Sequence, residues 1–449
     1  MKQINSKYVS FFLCFKCFIR KFFTLAFVIL FFVGCKNKSS ITLTQDTYSF
    51  ENLVVEQPSL VILKEAIQKN SGKKSDLDIF AEAFEYITKN YFEKIPTTEL
   101  SNAAIEAVAN SEKLSENKVI PTALKGLMEK LDKYSTYLSY DDFNVIESKT
   151  RGHFGGVGIK ISKHKEGALI LKVIDDTPAE RQGLLIGDVI THINSTPINS
   201  KSIKQISFKI RGKINTKINF NYIRNSESHT VQVTREKIIL DKVTHEKHDQ
   251  LVYLKITSFN ENTYKSVINI TAKLKPYNSI ILDLRDNRGG LLDQAVEVSD
   301  VFLDKGKIVE IRGRKPEDNL YYTANKDNIC PKCKIYILIN KETASAAEIL
   351  ASSLHENGRA LLIGEPSYGK GTVQTIVPLK DGSAIKFTTS IYITPSGNSL
   401  DENGLKPDIE FQKEKFLSPL CFDIKSGNDL ILKCAKKLAK SNISYVLTK

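Results

Sequence analysis

Residues 334–374 read KIYILINKETASAAEILASSLHENGRALLIGEPSYGKGTVQ and predict a strand, a helix and a second strand in succession. The apolar runs at 334–339 and 360–364 have the length of buried strands, whereas 346–355 has that of a helix. Further candidates are strands at 251–256, 279–284 and 307–311, a helix at 292–302, and a hairpin of 373–378 with 384–392 that turns at Asp381-Gly382. This alternation predicts an α/β core.

Ser345 and Lys370 each follow one of the two predicted strands. Ser345 begins the predicted helix, and Lys370 follows the second strand between two glycines. A serine hydroxyl needs a base beside it to act as a nucleophile at neutral pH. A lysine can be that base when burial lowers its pKa enough to leave it neutral. The pair therefore predicts acyl chemistry, most simply the hydrolysis of peptide bonds.

Ser345 and Lys370 each also have a purely structural explanation. Ser345 with Glu348 fits the capping box of a helix N-terminus, and most lysines are exposed surface charges. If the segment after Lys370 is extended, Gln374 lies on the same face and is expected to orient the amine. His355 lies too far along the predicted helix to serve Ser345 as a base.

An oxyanion hole requires two hydrogen-bond donors near the nucleophile. The N–H of Ala346 follows Ser345 directly at a helix N-terminus. The second donor is predicted in the turn 286–290, where Gly290 lets the backbone approach a substrate carbonyl. An ordinary turn between a strand and a helix is the alternative reading of that segment.

Length and charge restrict the classes of protein. A chain of 449 residues is expected to contain several domains. Its net charge of +13 is spread among acidic residues, so we expect no nucleic-acid partner.

The N-terminus predicts export. A basic stretch ends at Lys21 and precedes an apolar run at 22–33, which is short for a membrane span and typical of a signal peptide. The following Phe32-Val33-Gly34-Cys35 resembles a bacterial lipobox, in which Cys35 would be lipidated. An uncleaved anchor is the alternative. Either way, we expect the protein on the periplasmic or cell-envelope side, tethered to a membrane.

Four cysteines follow the N-terminal region, at 330, 333, 421 and 434. Cys330 and Cys333 have the spacing of half a zinc site, but no second closely spaced pair accompanies them. We therefore predict structural disulfides and no metal site. The sequence leaves the pairing open, and bonds within 330/333 and within 421/434 are one arrangement that it allows.

The glycine-rich stretch 154–159 and the later Gly183-Leu184 and Gly187-Asp188-Val189-Ile190 resemble a PDZ domain. Such domains add a peptide C-terminus as an extra strand, so Val157, Gly158 and Ile159 would form the carboxylate cradle. The predicted domains are a signal or anchor at 1–35, a tether at 36–75, a helical region at 76–151, the PDZ domain at 152–236, a protease core at 237–412 and a helical tail at 413–449.

These motifs in this order resemble the carboxyl-terminal processing proteases of the S41 peptidase family, between about residues 76 and 412. The resemblance implies a ClpP/crotonase-like α/β core with an inserted PDZ domain, and a serine peptidase without metal or organic cofactor. It assigns Ser345 as nucleophile, Lys370 as general base, Gln374 as its orienting partner, and Gly290 and Ala346 as the oxyanion hole. Three residues depart from the family pattern, namely Lys133, Arg288 and Ala347.

The resemblance implies that protein or peptide substrates are held by their C-termini, and it leaves open a homo-oligomer or an activating adaptor. Two other functions were considered. A PDZ adaptor on an inactive scaffold is disfavoured by the intact Ser345, Lys370 and Gln374. An acyl-CoA enzyme, suggested by the related crotonase fold, is disfavoured by the PDZ domain and the export signal.

Overall fold

The computed structural model describes residues 53, 60–70, 74–111, 114–115, 118–240, 242–325, 328–400, 404–412, 415–424 and 428–441. The predicted targeting segment, with Cys35, and most of the predicted tether lie outside these residues. No helix within the described ranges is both long and apolar enough to cross a membrane.

Helices dominate the region before the PDZ domain. They are α1 (Leu60–Asn70), α2 (Lys74–Asn90), α3 (Thr97–Ala109), α4 (Val119–Leu131) and α5 (Tyr140–Arg151), with the short strand β1 (Thr136–Leu138) between the last two. The apolar residues that recur every three or four positions, such as Phe80, Phe84 and Leu127, form a buried cluster. The helices expected in the region 76–151 are therefore present.

The PDZ region is a small antiparallel sheet with two helices. Its elements are β2 (His153–Gly156), β3 (Ile159–His164), β4 (Gly167–Val173), α6 (Pro178–Arg181), β5 (Val189–Ile193), β6 (Thr196–Pro197), α7 (Ile203–Ile210), β7 (Lys217–Arg224), β8 (Glu227–Thr234) and β9 (Glu236–Ile239). The strand order is β3-β4-β5-β7-β8, with β6 beside β5. Strands β2 and β9 pair with each other and form a separate ribbon at the two ends of this region.

The remaining elements build two further sheets. They are β10 (Val243–His248), β11 (Leu251–Ile256), α8 (Thr263–Leu274), β12 (Ser279–Asp283), α9 (Leu292–Val301), β13 (Lys307–Gly313), β14 (Leu320–Thr323), β15 (Lys334–Ile339), α10 (Ala346–Glu356), β16 (Ala360–Gly364), β17 (Thr372–Pro378), β18 (Ala384–Ile393), β19 (Ile409–Gln412), β20 (Lys415–Phe416) and α11 (Leu430–Lys440). The larger sheet runs β10-β11-β12-β15-β16-β19-β20. The smaller one runs β1-β18-β13-β14, with β17 on β18.

The larger sheet is parallel from β11 to β19 and is covered on both faces. Ile280, Leu282 and Ile337 face one apolar cluster that α8, α9 and α10 complete. Ile281 and Leu338 face a second cluster that α11 completes. Strands buried on both faces require nearly continuous apolar runs, which is why the sequence located them well. The predicted α/β fold is confirmed.

Two disulfides are formed, one between Cys330 and Cys333 and one between Cys421 and Cys434. Disulfides were expected from the sequence, and the structure supplies the pairing that the sequence left open. The second disulfide closes the segment that leads from β20 into α11.

Candidate active site

The loops that follow three neighbouring parallel strands carry the predicted catalytic residues. The loop after β12 contains the turn 286–290, the loop after β15 leads to Ser345, and the loop after β16 leads to Lys370. These strands are adjacent in the order β12-β15-β16. In open α/β sheets, ligands bind outside the carboxyl ends of the strands, so the topology gathers these residues at the edge where a site is expected.

Ser345 precedes the first turn of α10 in an unusual backbone conformation. Its φ is 58° and its ψ is −122°, a combination that residues other than glycine rarely adopt. Such a conformation costs about 1–3 kcal/mol and persists only where the surrounding structure holds it. The side chain is partly accessible, while Ala344 and Ala346 on either side are buried. The hydroxyl group is therefore presented at a helix N-terminus between small neighbours.

The buried carboxylate of Glu348 connects the serine loop to the lysine loop. Its Oε2 accepts hydrogen bonds from the backbone N–H of Ser345, at 2.8 Å, and of Lys370, at 3.0 Å. Its Oε1 accepts from the Ser367 hydroxyl at 2.5 Å and from the Gly369 N–H at 2.8 Å. One side chain thus fixes the backbone of both predicted catalytic residues. The sequence suggested only its bond to Ser345, as part of a capping box.

Lys370 is half-buried beside Tyr134, and its Nζ lies 4.9 Å from the centroid of the Tyr134 ring. Burial, together with the positive charge of Lys386, lowers the pKa of Lys370 to about 8. Asp132 and Glu348 act in the opposite direction. An amine with this pKa is unprotonated in a useful fraction of molecules near neutral pH, as a general base must be.

Two predicted side-chain contacts are not made. Among the described residues, no hydrogen bond joins Ser345 Oγ to Lys370 Nζ, although the two loops are adjacent. Gln374 donates from Nε2 to Thr372 Oγ1 at 2.8 Å and to Thr388 Oγ1 at 3.3 Å, and within the described residues no hydrogen bond joins it to Lys370. Gln374 and Thr372 do share a face, as extended residues should, but Lys370 lies before β17 begins at Thr372, so the alternation of the strand does not extend to it. The role of Gln374 remains a prediction.

The turn 286–290 packs against the serine loop. The Ala344 N–H donates to the Asn287 carbonyl at 2.9 Å, and a Cβ added to Gly289 would lie 3.0 Å from the Ser345 Cβ. Gly290 has φ +145°, and a Cβ there would lie 2.0 Å from the Phe259 carbonyl oxygen. Only glycine fits this position. The turn therefore needs both glycines to come this close.

The two predicted oxyanion donors are available for a ligand. Within the described part of the chain, neither the Gly290 N–H nor the Ala346 N–H donates a hydrogen bond, whereas the Gly289 N–H donates to Asn287 Oδ1 at 2.8 Å. Arg288, which departs from the family pattern, is exposed and pairs with Glu342 at 2.5 Å.

Some residues near the site gave no functional signal in the sequence. Asp132 and Lys386 act electrostatically on Lys370, and Lys386 itself has a pKa lowered by burial. They lie far apart in the chain and meet because β1 pairs with β18, where Thr136 is opposite Lys386.

His355 contacts Asp408 at 3.0 Å and lies at the far end of α10 from Ser345.

We expect kcat/KM for peptide cleavage to rise with pH and to reach half of its maximum near pH 8, where Lys370 loses its proton. Lys386→Met removes a positive charge while retaining apolar bulk, so the pKa of Lys370 and the midpoint should both move upward. The exposed Lys380→Met is the matched control and should leave the midpoint in place. A pH series that gives the same midpoint for Lys386→Met and the wild type would contradict this electrostatic account.

The PDZ region presents an open sheet edge. Strand β3 is the last strand of its sheet on one side, and α7 packs beside it. Val157 and Gly158 lie just before this edge, and Ile159 begins it. The Gly158 carbonyl accepts from the Ile174 N–H at 2.8 Å, and a Cβ on Gly158 would lie 2.2 Å from Thr177 Oγ1. An edge strand beside a helix is the geometry that accepts a peptide as an added strand.

The chain is similar to known proteins. A profile of peptidase family S41 matches residues 250–411, and a PDZ domain profile matches residues 155–234. The carboxy-terminal-processing protease of Bartonella bacilliformis is 34% identical over 364 residues, which cover 78% of this chain and 79% of that protein. A probable CtpA-like serine protease of Staphylococcus aureus is 30% identical over 353 residues, covering 78% of this chain and 67% of that protein. A solved photosystem II D1 C-terminal processing protease covers 82% of this chain, and 98% of its own chain is matched, with a TM-score of 0.47 and 23% identity.

The chain belongs to the S41 peptidase family. It is a serine-type peptidase of the carboxy-terminal-processing kind and carries a PDZ domain. The resemblance seen in the sequence is thereby confirmed.

Proposed function

We propose that this peptidase cleaves its substrates with Ser345 as nucleophile and Lys370 as general base. The observation that carries the proposal is the shared carboxylate oxygen of Glu348, which holds the backbone of both residues. A general base must also be unprotonated, and the lowered pKa of the half-buried Lys370 allows a neutral amine.

The proposed reaction has two stages. Lys370 Nζ takes the proton of the Ser345 hydroxyl while Oγ attacks the substrate carbonyl carbon, and the N–H groups of Gly290 and Ala346 stabilise the resulting oxyanion. The peptide C–N bond breaks as the lysine ammonium returns its proton to the departing amine. Water then attacks the acyl-enzyme ester and gives a proton to Lys370, which passes it to Ser345 as the ester bond breaks. The carboxylic acid product is released and the enzyme is restored.

We further propose that the PDZ domain selects substrates by their C-terminal carboxylate. The open edge of β3 is suited to main-chain pairing with an extended peptide, and backbone N–H groups at residues 157–159 would face its terminal carboxylate. Binding there would deliver an adjoining segment of the same substrate to Ser345.

Peptides that differ only at the C-terminus test this selection. For the full-length protein in detergent, we expect kcat/KM to be at least about tenfold higher for a peptide with a free carboxylate than for its C-terminal amide. Ser345→Ala should bind the free peptide without cleaving it.

Equal cleavage of the two peptides would contradict carboxylate selection. Binding of free C-termini by the wild type without cleavage of any peptide or unfolded protein would instead support an adaptor.

The cellular placement is also a proposal. The composition of residues 1–35 supports export to the periplasmic or cell-envelope side, with lipidation of Cys35 or an uncleaved anchor as the attachment to a membrane. Metabolic labelling with a palmitate analogue distinguishes the two, since Cys35→Ser would lose the label only if Cys35 is lipidated. Self-assembly or an activating adaptor is compatible with this placement.

A further inference from the structure

The segment after β19 forms an outer layer on the catalytic sheet. Helix α11 packs across β12, β15 and β16, and Ile431, Ala435 and Leu438 enter the second apolar cluster. The Tyr336 hydroxyl donates to the Leu438 carbonyl at 3.1 Å. The S41 profile ends at residue 411, so this layer lies beyond the matched region.

Asp429, at the N-terminus of α11, accepts two hydrogen bonds from the guanidinium group of Arg285. Arg285 Nη1 donates to Asp429 Oδ1 at 2.6 Å, and Nη2 donates to Oδ2 at 2.8 Å. On its other side Arg285 donates from Nη2 to Asp283 Oδ2 at 2.6 Å and from Nε to Asp283 Oδ1 at 2.9 Å. Asp283 is fully buried and the Arg285 side chain is only 14% exposed. Two parallel bonds fix a guanidinium in orientation as well as position.

Charge and burial support a persistent contact. Burial alone would lower the pKa of Arg285, but its bonds to Asp283 and Asp429 raise it overall. Burial alone would raise the pKa of Asp429, but the bonds from Arg285 leave it below the ordinary value. Both groups are therefore charged at neutral pH.

The position of Arg285 links this contact to catalysis. Arg285 directly precedes the turn 286–290, in which Asp286 has φ 64° and Gly290 is the proposed oxyanion donor. Asp429 is in turn held near a disulfide, because Cys421 and Cys434 join the segments on either side of it. The contact between Asp429 and Arg285 thus connects a disulfide-closed segment of the tail to the residue that directly precedes the turn 286–290.

We propose that Asp429 is a positioning residue, which holds the oxyanion turn in its productive geometry through Arg285. The Cys421–Cys434 disulfide keeps Asp429 in place. The inference rests on the proposed function, because it takes the Gly290 N–H as a donor to the oxyanion.

Asp429→Asn separates this role from helix capping. Asp429 Oδ1 also accepts from the Leu432 N–H at 3.0 Å, and asparagine caps helices as well as aspartate does. The variant therefore keeps the cap and loses the charge. We expect kcat of the full-length protein in detergent to fall about tenfold, with KM changed less than twofold, because a misplaced oxyanion donor weakens only the transition state.

The matched control is Asp423→Asn. Asp423 lies in the same tail and pairs with Lys437 at 2.6 Å, away from Arg285, so kcat should stay within about twofold of the wild type. Asp429→Glu restores the carboxylate and should recover part of kcat. The double substitution Cys421→Ser/Cys434→Ser should lower kcat when it is made in the wild-type protein. It should cause little further loss of kcat when it is made in Asp429→Asn, because both changes act through one contact.

The outcomes separate this inference from the proposed function. If Asp429→Asn had the kcat of the wild type while Ser345→Ala was inactive, the inference would be overturned and the proposed function would stand. Equal losses in Asp429→Asn and Asp423→Asn would also overturn it, because a general effect on the tail would then explain both. Cleavage by Ser345→Ala at the wild-type rate would instead overturn the proposed function itself.

Discussion

Lys370→Met is expected to lower kcat/KM for peptide cleavage about 10³-fold, the size of a lost general base. Methionine has a similar length and can lie beside the Tyr134 ring as the lysine does, but it removes the only group proposed to accept the Ser345 proton. The backbone N–H at position 370 still donates to Glu348, so the loop should stay in place. The loss should therefore appear in kcat, with a smaller change in KM and an unchanged thermal unfolding temperature.

Lys380→Met is the matched control for this change, since it removes an exposed lysine from the β17–β18 hairpin. It should retain wild-type cleavage. If Lys370→Met retained more than about a tenth of wild-type kcat/KM, another group would have to be the base.

Glu348→Gln has the second largest expected effect, about 10²-fold on kcat together with a loss of about 3 kcal/mol in the free energy of unfolding. The four shortest bonds to this carboxylate place two donors on each oxygen. A glutamine has one acceptor oxygen, so either orientation of its amide turns an NH₂ group toward two donors. A buried donor left without an acceptor costs about 1–3 kcal/mol. The displaced backbones of Ser345 and Lys370 would then account for the loss of activity.

Glu356→Gln provides the comparison on the same helix. Glu356 accepts one hydrogen bond, from the exposed Ser396 N–H at 2.8 Å, so its substitution should change neither kcat nor stability appreciably. Urea unfolding and steady-state kinetics on both variants make the test. A Glu348→Gln protein with wild-type stability and activity would show that this carboxylate does not hold the two loops.

The sequence predicted the core strands well because their apolar runs are continuous. Predicted strands at 251–256, 334–339 and 360–364 coincide with β11, β15 and β16. A parallel sheet covered on both faces imposes that pattern, so it is visible without any tertiary information. Ser345 and Lys370 were selected as candidates for a similar reason, since glycines and small residues next to a reactive side chain are local signals.

Contacts that depend on where a strand begins or on distant segments could not be predicted in this way. Gln374 was expected beside Lys370 because extended residues alternate, but β17 begins only at Thr372, so the alternation that places Gln374 beside Thr372 does not reach Lys370. Glu348 was recognised only as a capping residue, because its other donors come from the loop after β16. The contact of Asp429 with Arg285 joins two parts of the chain that no local pattern relates.

In the proposed mechanism, the attack of a serine hydroxyl on a peptide bond involves no metal or cofactor and depends on how the fold arranges the reacting groups. The fold places the proposed nucleophile, base and oxyanion donors in the loops after three adjacent strands, so the proposed reaction would need little reorganisation. The strained backbone of Ser345 and the buried amine of Lys370 are costs that Glu348 and the surrounding core offset.

The most direct test of the central claim identifies the residue that carries the acyl group. The full-length protein in detergent is mixed with a peptide ester, quenched in acid during turnover, and mapped by tandem mass spectrometry. The account predicts an acyl group on Ser345, reduced in Lys370→Met, and no ester turnover by Ser345→Ala. An acyl group on another residue, or turnover by Ser345→Ala at the wild-type rate, would contradict it.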